Sequence, residues 1–363
     1  MFVEELELKN FRNYDYQKIT FDSRLNVISG RNAQGKTNLI EAIFLLAIGR
    51  SPRTTKDKEM INWNKDSAYV KLKLNKNSGS KTLEVRLNKS GGKIILINGL
   101  PIKRISELIS VLNVIHFFPE DLKLIKEAPQ DRRRFMDVDI SQASRNYFFL
   151  LQTYEKVLMQ RNKLLKNSKT LDIVKQTIGI WDEQLSTVAS KIIISRIKFL
   201  NQLAPIVQKS HAYLADNDEV LEICYQGVTG ESTQEIKDIL QKKLEENLNK
   251  DFELGYTSVG PHRDDIKITL NGVDIRSFGS QGQQRTASLA MKLAEIQIFE
   301  EETGEKPILL LDDVLSELDP IRQQKLISVA TKQQSFLTCT DYPFDTKCAI
   351  YNISGGICEK LDN

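Results

Sequence analysis

Cysteine and histidine are scarce, four and three in 363 residues. Cys224, Cys339, Cys348 and Cys358 form no C-x-x-C pair and the histidines are scattered, so neither a zinc site nor a disulfide framework is suggested; a reduced, cytoplasmic setting fits best. Charge of one sign is also missing. The 51 basic and 48 acidic residues leave a net charge of +3, too slight by itself to argue for nucleic acid. The longest apolar stretches fall far short of a bilayer span, and residues 1–5 are acidic with no apolar export region, so no membrane association is implied. Repeats and low-complexity tracts are absent. The chain is too long for one ordinary core, and two lobes are expected.

What is present begins at residues 30–37, GRNAQGKT. They follow a short apolar strand containing Leu25, Val27 and Ile28 and precede a segment of helical spacing at residues 38–49, which is the context a phosphate-binding loop requires. Gly30 and Gly35 permit backbone angles closed to other residues. Successive N–H groups can then point at phosphate oxygens near the positive end of the helix. The candidate nucleotide-binding set is Gly30, Arg31, Asn32, Ala33, Gln34, Gly35, Lys36, Thr37 and Asn38, with Lys36 reaching the β- and γ-phosphates of ATP and Thr37 ligating Mg²⁺.

The usual partner of such a loop, ILLLDD at residues 308–313, lies at the far end of the chain. Something large is inserted between them. Ile308 to Leu311 predict a buried strand of the parallel type that delivers Asp312 and Asp313 at its carboxyl end. Asp312 is the candidate Mg²⁺ residue, through water, and Asp313 is placed to orient or deprotonate the attacking water, with Lys36 as its catalytic companion. Glu is commoner at that position, and the shorter carboxylate is compatible with slow turnover. In SELD at residues 316–319, Ser316 and Asp319 fit a dimer-contacting loop; an acidic helix start satisfying its own amides fits equally well.

Just upstream, Ser280, Gln281, Gly282 and Gln283 head a strongly helical segment at residues 286–300. A γ-phosphate could dock at that helix end. Because the first loop already surrounds its own nucleotide from one side, the second is most simply read as acting in trans, in a homodimer that sandwiches two ATP molecules. The plainer reading is a turn shaped by Gly279 and Gly282.

With these residues in place, the chain resembles the RecF family, bacterial DNA replication and repair ATPases related to the SMC proteins. The resemblance rests on LELKNFRNY, GRNAQGKTN, PEDLKLIKEAPQDRRRFMD, SVGPHRDD, GSQGQQRT and LLLDDVLSELD, in that order. Glu127 departs from a usual Gly. Unlike transporter-type ATPases, the chain has no histidine after the acidic strand, in FLTCTD at residues 336–341, which leaves Thr338 or Thr340 to meet the γ-phosphate. The resemblance implies an α/β ABC-type ATPase head of mixed sheets with helices, carrying an inserted α-helical arm lobe of coiled-coil-like antiparallel helices. It also implies ATP and Mg²⁺ as cofactors, weak DNA-stimulated ATP hydrolysis, and a clamp that closes on ATP binding and opens on hydrolysis. Its DNA would be double-stranded or a single-strand-to-double-strand junction, with single strands as a further candidate. RecR and RecO are the implied partners, and recombinase loading, replication restart and the SOS response the implied roles.

Periodicity suggests three segments: residues 1–118 and 252–363 as the two parts of the ATPase lobe, and residues 119–251 as the helical arm. Short strands are expected at residues 68–74, 83–87 and 94–97, and two long antiparallel helices at residues 145–165 and 178–207, separated by a polar break at residues 167–169. Arg53 and Lys56 are the candidate DNA contacts, whereas Arg132, Arg133 and Arg134 read as structural or interlobe. No aromatics intersperse these clusters, so stacking platforms for bases are not evident. Two rival readings are an ATP-binding scaffold with little turnover and a transporter ATPase subunit; the long insertion, the form of the SQGQQR segment and the missing histidine count against the latter.

Overall fold

The computed structural model describes residues 1–118, 124–126, 128–215 and 219–361. The chain packs into two compact units, Met1–Leu122 with Glu295–Asn363, and Lys123–Ala294. This differs from the periodicity-based division. Residues 252–294, expected with the ATPase lobe, group with the inserted helices.

The first unit opens with β1 (Phe2–Phe11), β2 (Tyr14–Thr20), β3 (Leu25–Ser29), α1 (Lys36–Ile48), β4 (Ser67–Lys76), β5 (Gly79–Asn88), β6 (Lys93–Ile97), β7 (Leu100–Pro101) and β8 (Val114–Phe117). Strands β1, β2 and β4 to β7 form an antiparallel sheet in the order β2-β1-β4-β5-β6-β7. Its strands alternate as one-sided burial demands: Ala68, Val70, Leu72 and Leu74 are buried along β4 while Lys73 is exposed. By contrast, Leu25, Val27 and Ile28 are all fully buried in β3, as befits a strand covered on both faces.

The second unit contains α2 (Pro129–Ala143), α3 (Arg145–Asn167), α4 (Leu171–Ala215), β9 (Leu221–Gln226), α5 (Thr233–Glu246), α6 (Leu248–Leu254), β10 (Asp265–Leu270), β11 (Val273–Asp274), α7 (Ile275–Phe278) and most of α8 (Gln281–Thr303). Helix α4 is longer at both ends than its apolar stripe suggests and continues through Pro205. It packs against α3, α5 and β9. Strands β11, β10 and β9 make a small antiparallel sheet. Glu127 lies outside the described residues.

The chain then returns to the first unit as β12 (Ile308–Asp312), α9 (Pro320–Ala330), β13 (Ser335–Cys339), β14 (Ala349–Ser354) and β15 (Ile357–Leu361). These join β3 and β8 in a second six-stranded sheet of order β15-β14-β3-β13-β12-β8. It is parallel except for the last hairpin. Register sets Thr338 between Ile28 on one neighbour and Asp312 on the other. No helix among the described residues is long and apolar enough to cross a membrane.

Buried charge organises the second unit. Arg132 is bidentate to Asp265 at 2.6 and 2.9 Å. Arg161 donates to Asp182, Asp251 and Thr257, and Arg196 to Asp137, Tyr147 and the Pro261 carbonyl. All three guanidinium side chains are buried, so each needs its carboxylate: removing one partner of such a pair typically costs about 3–5 kcal/mol. Arg133 donates to the Asp264 carbonyl. Arg132 and Arg133 are thus structural, as their sequence reading has it.

The same network fixes a tautomer. The Thr257 carbonyl can only accept, so His262 Nε2 carries the proton across 3.0 Å and Nδ1 accepts from the Tyr154 hydroxyl at 2.6 Å. Burial pushes His262 down to about 4 from 6.5 and pushes Asp264, bonded by Tyr225, up to about 6 from 3.8. The two groups oppose one another. As pH falls from 6.5 toward 4 the unfolded chain takes up a histidine proton that the folded chain refuses, lowering stability. As pH rises from 3.8 through 6 the folded chain must ionise Asp264 in a buried place, which also lowers stability. Urea-unfolding midpoints measured between pH 4 and 6.5 are therefore expected to fall with acid in Asp264→Asn and to rise with acid in His262→Gln, each relative to wild type and by about 2–3 kcal/mol. Parallel profiles for all three proteins would refute this.

Candidate nucleotide site

The glycine-rich loop links β3 to α1 and is strained where its sequence allows. Gly30 has φ +148° and Gly35 φ +116°, and Ala33 also has positive φ at 64°. A Cβ on Gly30 would lie 2.5 Å from the Ile353 carbonyl oxygen, and one on Gly35 would lie 2.7 Å from the Asn13 side chain. Gly30 is therefore required by space as well as by angle, and Gly35 by angle. The Lys36 ammonium turns back into the loop, donating to the carbonyls of Gly30 and Arg31.

Groups far away in sequence hold this loop from outside. Asn13 Nδ2 donates to the Gln34 carbonyl at 2.8 Å, the Tyr14 hydroxyl to the Gly35 carbonyl at 2.9 Å, and the Gly355 amide to Gln34 Oε1 at 2.7 Å. Asn38 Nδ2 donates to Asn13 Oδ1, and Arg53 Nη1 to Asn38 Oδ1, each at 2.8 Å. Beneath them the fully buried Glu41 carboxylate on α1 takes Arg12 through two bonds, Arg53 at 3.4 Å and the Ser51 hydroxyl at 2.5 Å. Arg53 is thus already tied to the loop's helix. Lys56 is exposed and pairs with Glu59. The sequence reading missed Asn13, Tyr14 and Gly355, whose spacing follows no local motif.

At the end of β12, Asp312 is buried. Its Oδ1 accepts from the Thr37 hydroxyl at 3.0 Å and from the Thr338 hydroxyl at 2.7 Å, and the Asp313 amide donates to Thr338 Oγ1 at 2.9 Å. One threonine hydroxyl therefore fixes both acidic residues. Burial raises the Asp312 carboxyl above the usual carboxylate range, and the bonds from Thr338 and Thr37 pull it back. Asp313 has φ +52°, in the left-handed region, and its side chain is exposed. Its pKa is raised by partial burial, against the pull of the Lys36 charge. Of the two threonines left open by the sequence, Thr338 is committed to Asp312 and fully buried, whereas Thr340 is exposed.

Ser316 donates to the Asp313 carbonyl at 2.7 Å, and Asp319 caps α9 by accepting from the Arg322 amide at 3.1 Å. In the second unit, Ser280 and Gln283 form a reciprocal cap on α8: the Gln283 amide donates to Ser280 Oγ at 3.2 Å and the Ser280 amide to Gln283 Oε1 at 2.8 Å. Gln283 Nε2 also reaches Glu219 at 2.7 Å. Ser280, Gln281 and Gly282 are exposed, so this helix end is open to solvent.

A phosphate-type loop on a parallel sheet, an acidic strand two places away and a capped, exposed helix upstream of it define an ATPase head of the ABC type. The family description "RecF/RecN/SMC N terminal domain" matches residues 2–342. The chain is 46% identical to the DNA replication and repair protein RecF of Clostridium acetobutylicum over 341 residues, covering 94% of this chain and 93% of that protein. It is also 46% identical to that of Clostridium tetani over 343 residues, with the same coverage. A solved structure of the recombination mediator protein RecF-ATPrS in the RecFOR pathway superposes with a TM-score of 0.92 at 39% identity, covering 99% and 98% of the two chains. An SMC head bound to the winged-helix domain of ScpA, at 16% identity and a TM-score of 0.58, covers 99% of this chain and 97% of its own and shares the fold. The chain belongs to the RecF family of DNA replication and repair proteins.

Thr338→Val removes the hydroxyl shared by Asp312 and the Asp313 amide. It is expected to destabilise the protein by about 1–3 kcal/mol, because a buried carboxylate oxygen and an amide each lose a partner. Thr338→Ser should recover most of that, as read by thermal unfolding; equal midpoints for Val and Ser would refute the bridging role.

Proposed function

We propose that this chain is an ATP-gated DNA clamp of recombinational repair, and the observation that carries the reading is the Asp312 carboxylate held between Thr37 and Thr338. Two hard oxygen donors 3.0 Å apart, Thr37 Oγ1 and Asp312 Oδ1, suit Mg²⁺, which is commonly bound by one or two protein oxygens together with phosphate and water. Mg²⁺ held there would neutralise phosphate charge. The backbone amides of Gly30, Arg31, Asn32, Ala33, Gln34 and Gly35, with Asn38 behind them, cradle the phosphates of ATP. Lys36 swings from its own loop's carbonyls to the β- and γ-phosphates. Asp313 is the water-orienting base, exposed at the end of β12 beside Asp312. The exposed hydroxyl of Thr340 is the side chain that meets the γ-phosphate.

Ser280, Gln281, Gly282 and Gln283 act in trans on the ATP of a second copy, with Ser316 and Asp319 in the dimer contact. Because the γ-phosphate bridges both copies, its loss favours the open state. The DNA is a gapped or single-strand-to-double-strand junction, with Arg53 and Lys56 as backbone contacts. RecR and RecO are the partners, and recombinase loading, replication restart and the SOS response the roles, in the cytoplasm. The names of the relatives, DNA replication and repair proteins and a recombination mediator of the RecFOR pathway, support this assignment. Hydrolysis is slow, consistent with Asp rather than Glu at position 313.

Light scattering with and without Mg-ATP tests the shared site. Lys36→Ala should abolish both nucleotide binding and association, whereas Ser280→Arg should block association and leave nucleotide affinity within a few-fold. Equal loss of affinity in both variants would contradict it. Asp313→Asn should lower turnover by about two orders of magnitude or more while the ATP-bound dimer persists on DNA; unchanged turnover, or association indifferent to ATP, would favour a non-hydrolysing scaffold.

A further inference from the structure

Trp63 is 91% exposed, the highest value among the exposed large hydrophobic residues described. It does not belong to a loose loop. Ile61 bridges Phe11, the Asn62 amide donates to the Asn10 carbonyl at 2.9 Å, and the Lys65 amide closes a turn on the Asn62 carbonyl at 3.0 Å. Asn62 Oδ1 also accepts from the Asn64 amide at 3.3 Å. From the β5–β6 turn, the Lys89 amide donates to the Asp66 carbonyl at 2.8 Å and its ammonium to the Trp63 carbonyl at 3.4 Å. A tightly pinned turn thus holds an indole out into water.

Burying an indole is favourable, so a pinned and uncovered one is available to a partner that brings a flat face. The surrounding charge selects the partner. Lys58, Lys65 and Lys89 are exposed around it. Of the neighbouring carboxylates, Asp57 is paired with Lys93 and Glu59 takes Lys56 and the Thr54 hydroxyl, while Asp15, which accepts only from the neutral Asn62 amide, and Asp66 keep their charge against the three lysines. Ammonium groups flanking an open aromatic face are the chemistry of a single strand, phosphates on the lysines and a base on the ring. A base inside a duplex offers no free face.

We propose that Trp63 is a stacking platform for an unpaired base at the single-stranded side of a gapped or junction DNA, with Lys65 and Lys89 holding the flanking phosphates. This rests on the DNA-clamp reading and adds a residue that selects the junction over plain duplex. It continues the segment that carries Arg53 and Lys56, and supplies the aromatic component that the basic clusters lack in sequence.

The chain has two tryptophans, so Trp181→Phe leaves Trp63 as the reporter. Its emission should be quenched by a gapped duplex or a duplex with a single-stranded tail and be unmoved by a blunt duplex, with binding of each DNA followed separately by anisotropy. In the full chain, Trp63→Ala should weaken gapped DNA roughly tenfold, leave blunt duplex within twofold, and be largely rescued by Trp63→Phe. Gapped DNA that binds without changing Trp63 emission, and equally well in Trp63→Ala, would overturn the proposal while leaving the clamp reading intact. Failure of every DNA to bind would overturn both. Emission that shifts with protein concentration alone would assign the patch to a second copy of the chain and likewise overturn it.

Discussion

The Asp312 carboxylate, held by one hydroxyl from the nucleotide helix and one from the neighbouring strand, is the interaction on which the site depends. Thr37 and Asp312 are 275 positions apart in the chain, and nothing local brings them together. The sheet order does so, by inserting β13 between β3 and β12. The Thr338 hydroxyl in β13 then fixes the end of β12 twice, bonded to Asp312 and to the Asp313 amide. A carboxylate that is buried and raised in pKa needs such donors to remain charged, and the two threonines supply them at no cost in net charge.

The second unit solves a different problem with a similar economy. Its loop from Thr257 to Asp265 has little apolar side chain with which to anchor itself, and it is held by buried arginines and by Tyr154 and Tyr225 instead. Such a network specifies one arrangement, because any slip would leave guanidinium or carboxylate groups unpaired. The helices that provide the arginines are thereby held to the strand β10 that leads, through β11 and α7, to Ser280.

What could be read from the sequence was what is encoded locally. The phosphate loop is written in glycines whose angles no other residue adopts, and the acidic strand in four consecutive aliphatic residues. Ser280 at a helix start was legible because α8 has clear spacing. The limits of α4 were not: the helix expected at residues 178–207 already ran through Pro205, but it in fact begins at Leu171 and continues to Ala215. The choice between Thr338 and Thr340 needed the end of β13, since Thr338 lies inside that strand and Thr340 just beyond it. Asn13 and Gly355 act on the loop through single bonds over distances no motif spans. Trp63 was passed over because exposure is a property of packing, and Lys89, bonded to its carbonyl, is 26 residues away in sequence.

The pairing of β3 carries an implication for biosynthesis. Its two sheet neighbours are β13 and β14, so a strand made at the start of translation has no partner until nearly the whole polypeptide has emerged. Its fully apolar face must wait, and closing so long a loop is slow as well as entropically costly. The nascent chain is therefore exposed to aggregation through this strand for most of its synthesis, and a holding chaperone or early formation of the β1–β2 hairpin is the natural safeguard. The same arrangement couples competence to completeness: a ribosomal product that stops short of β14 lacks the Tyr351 carbonyl that Ser29 bonds and the Gly355 amide that steadies Gln34, and so could not offer a finished cradle to nucleotide.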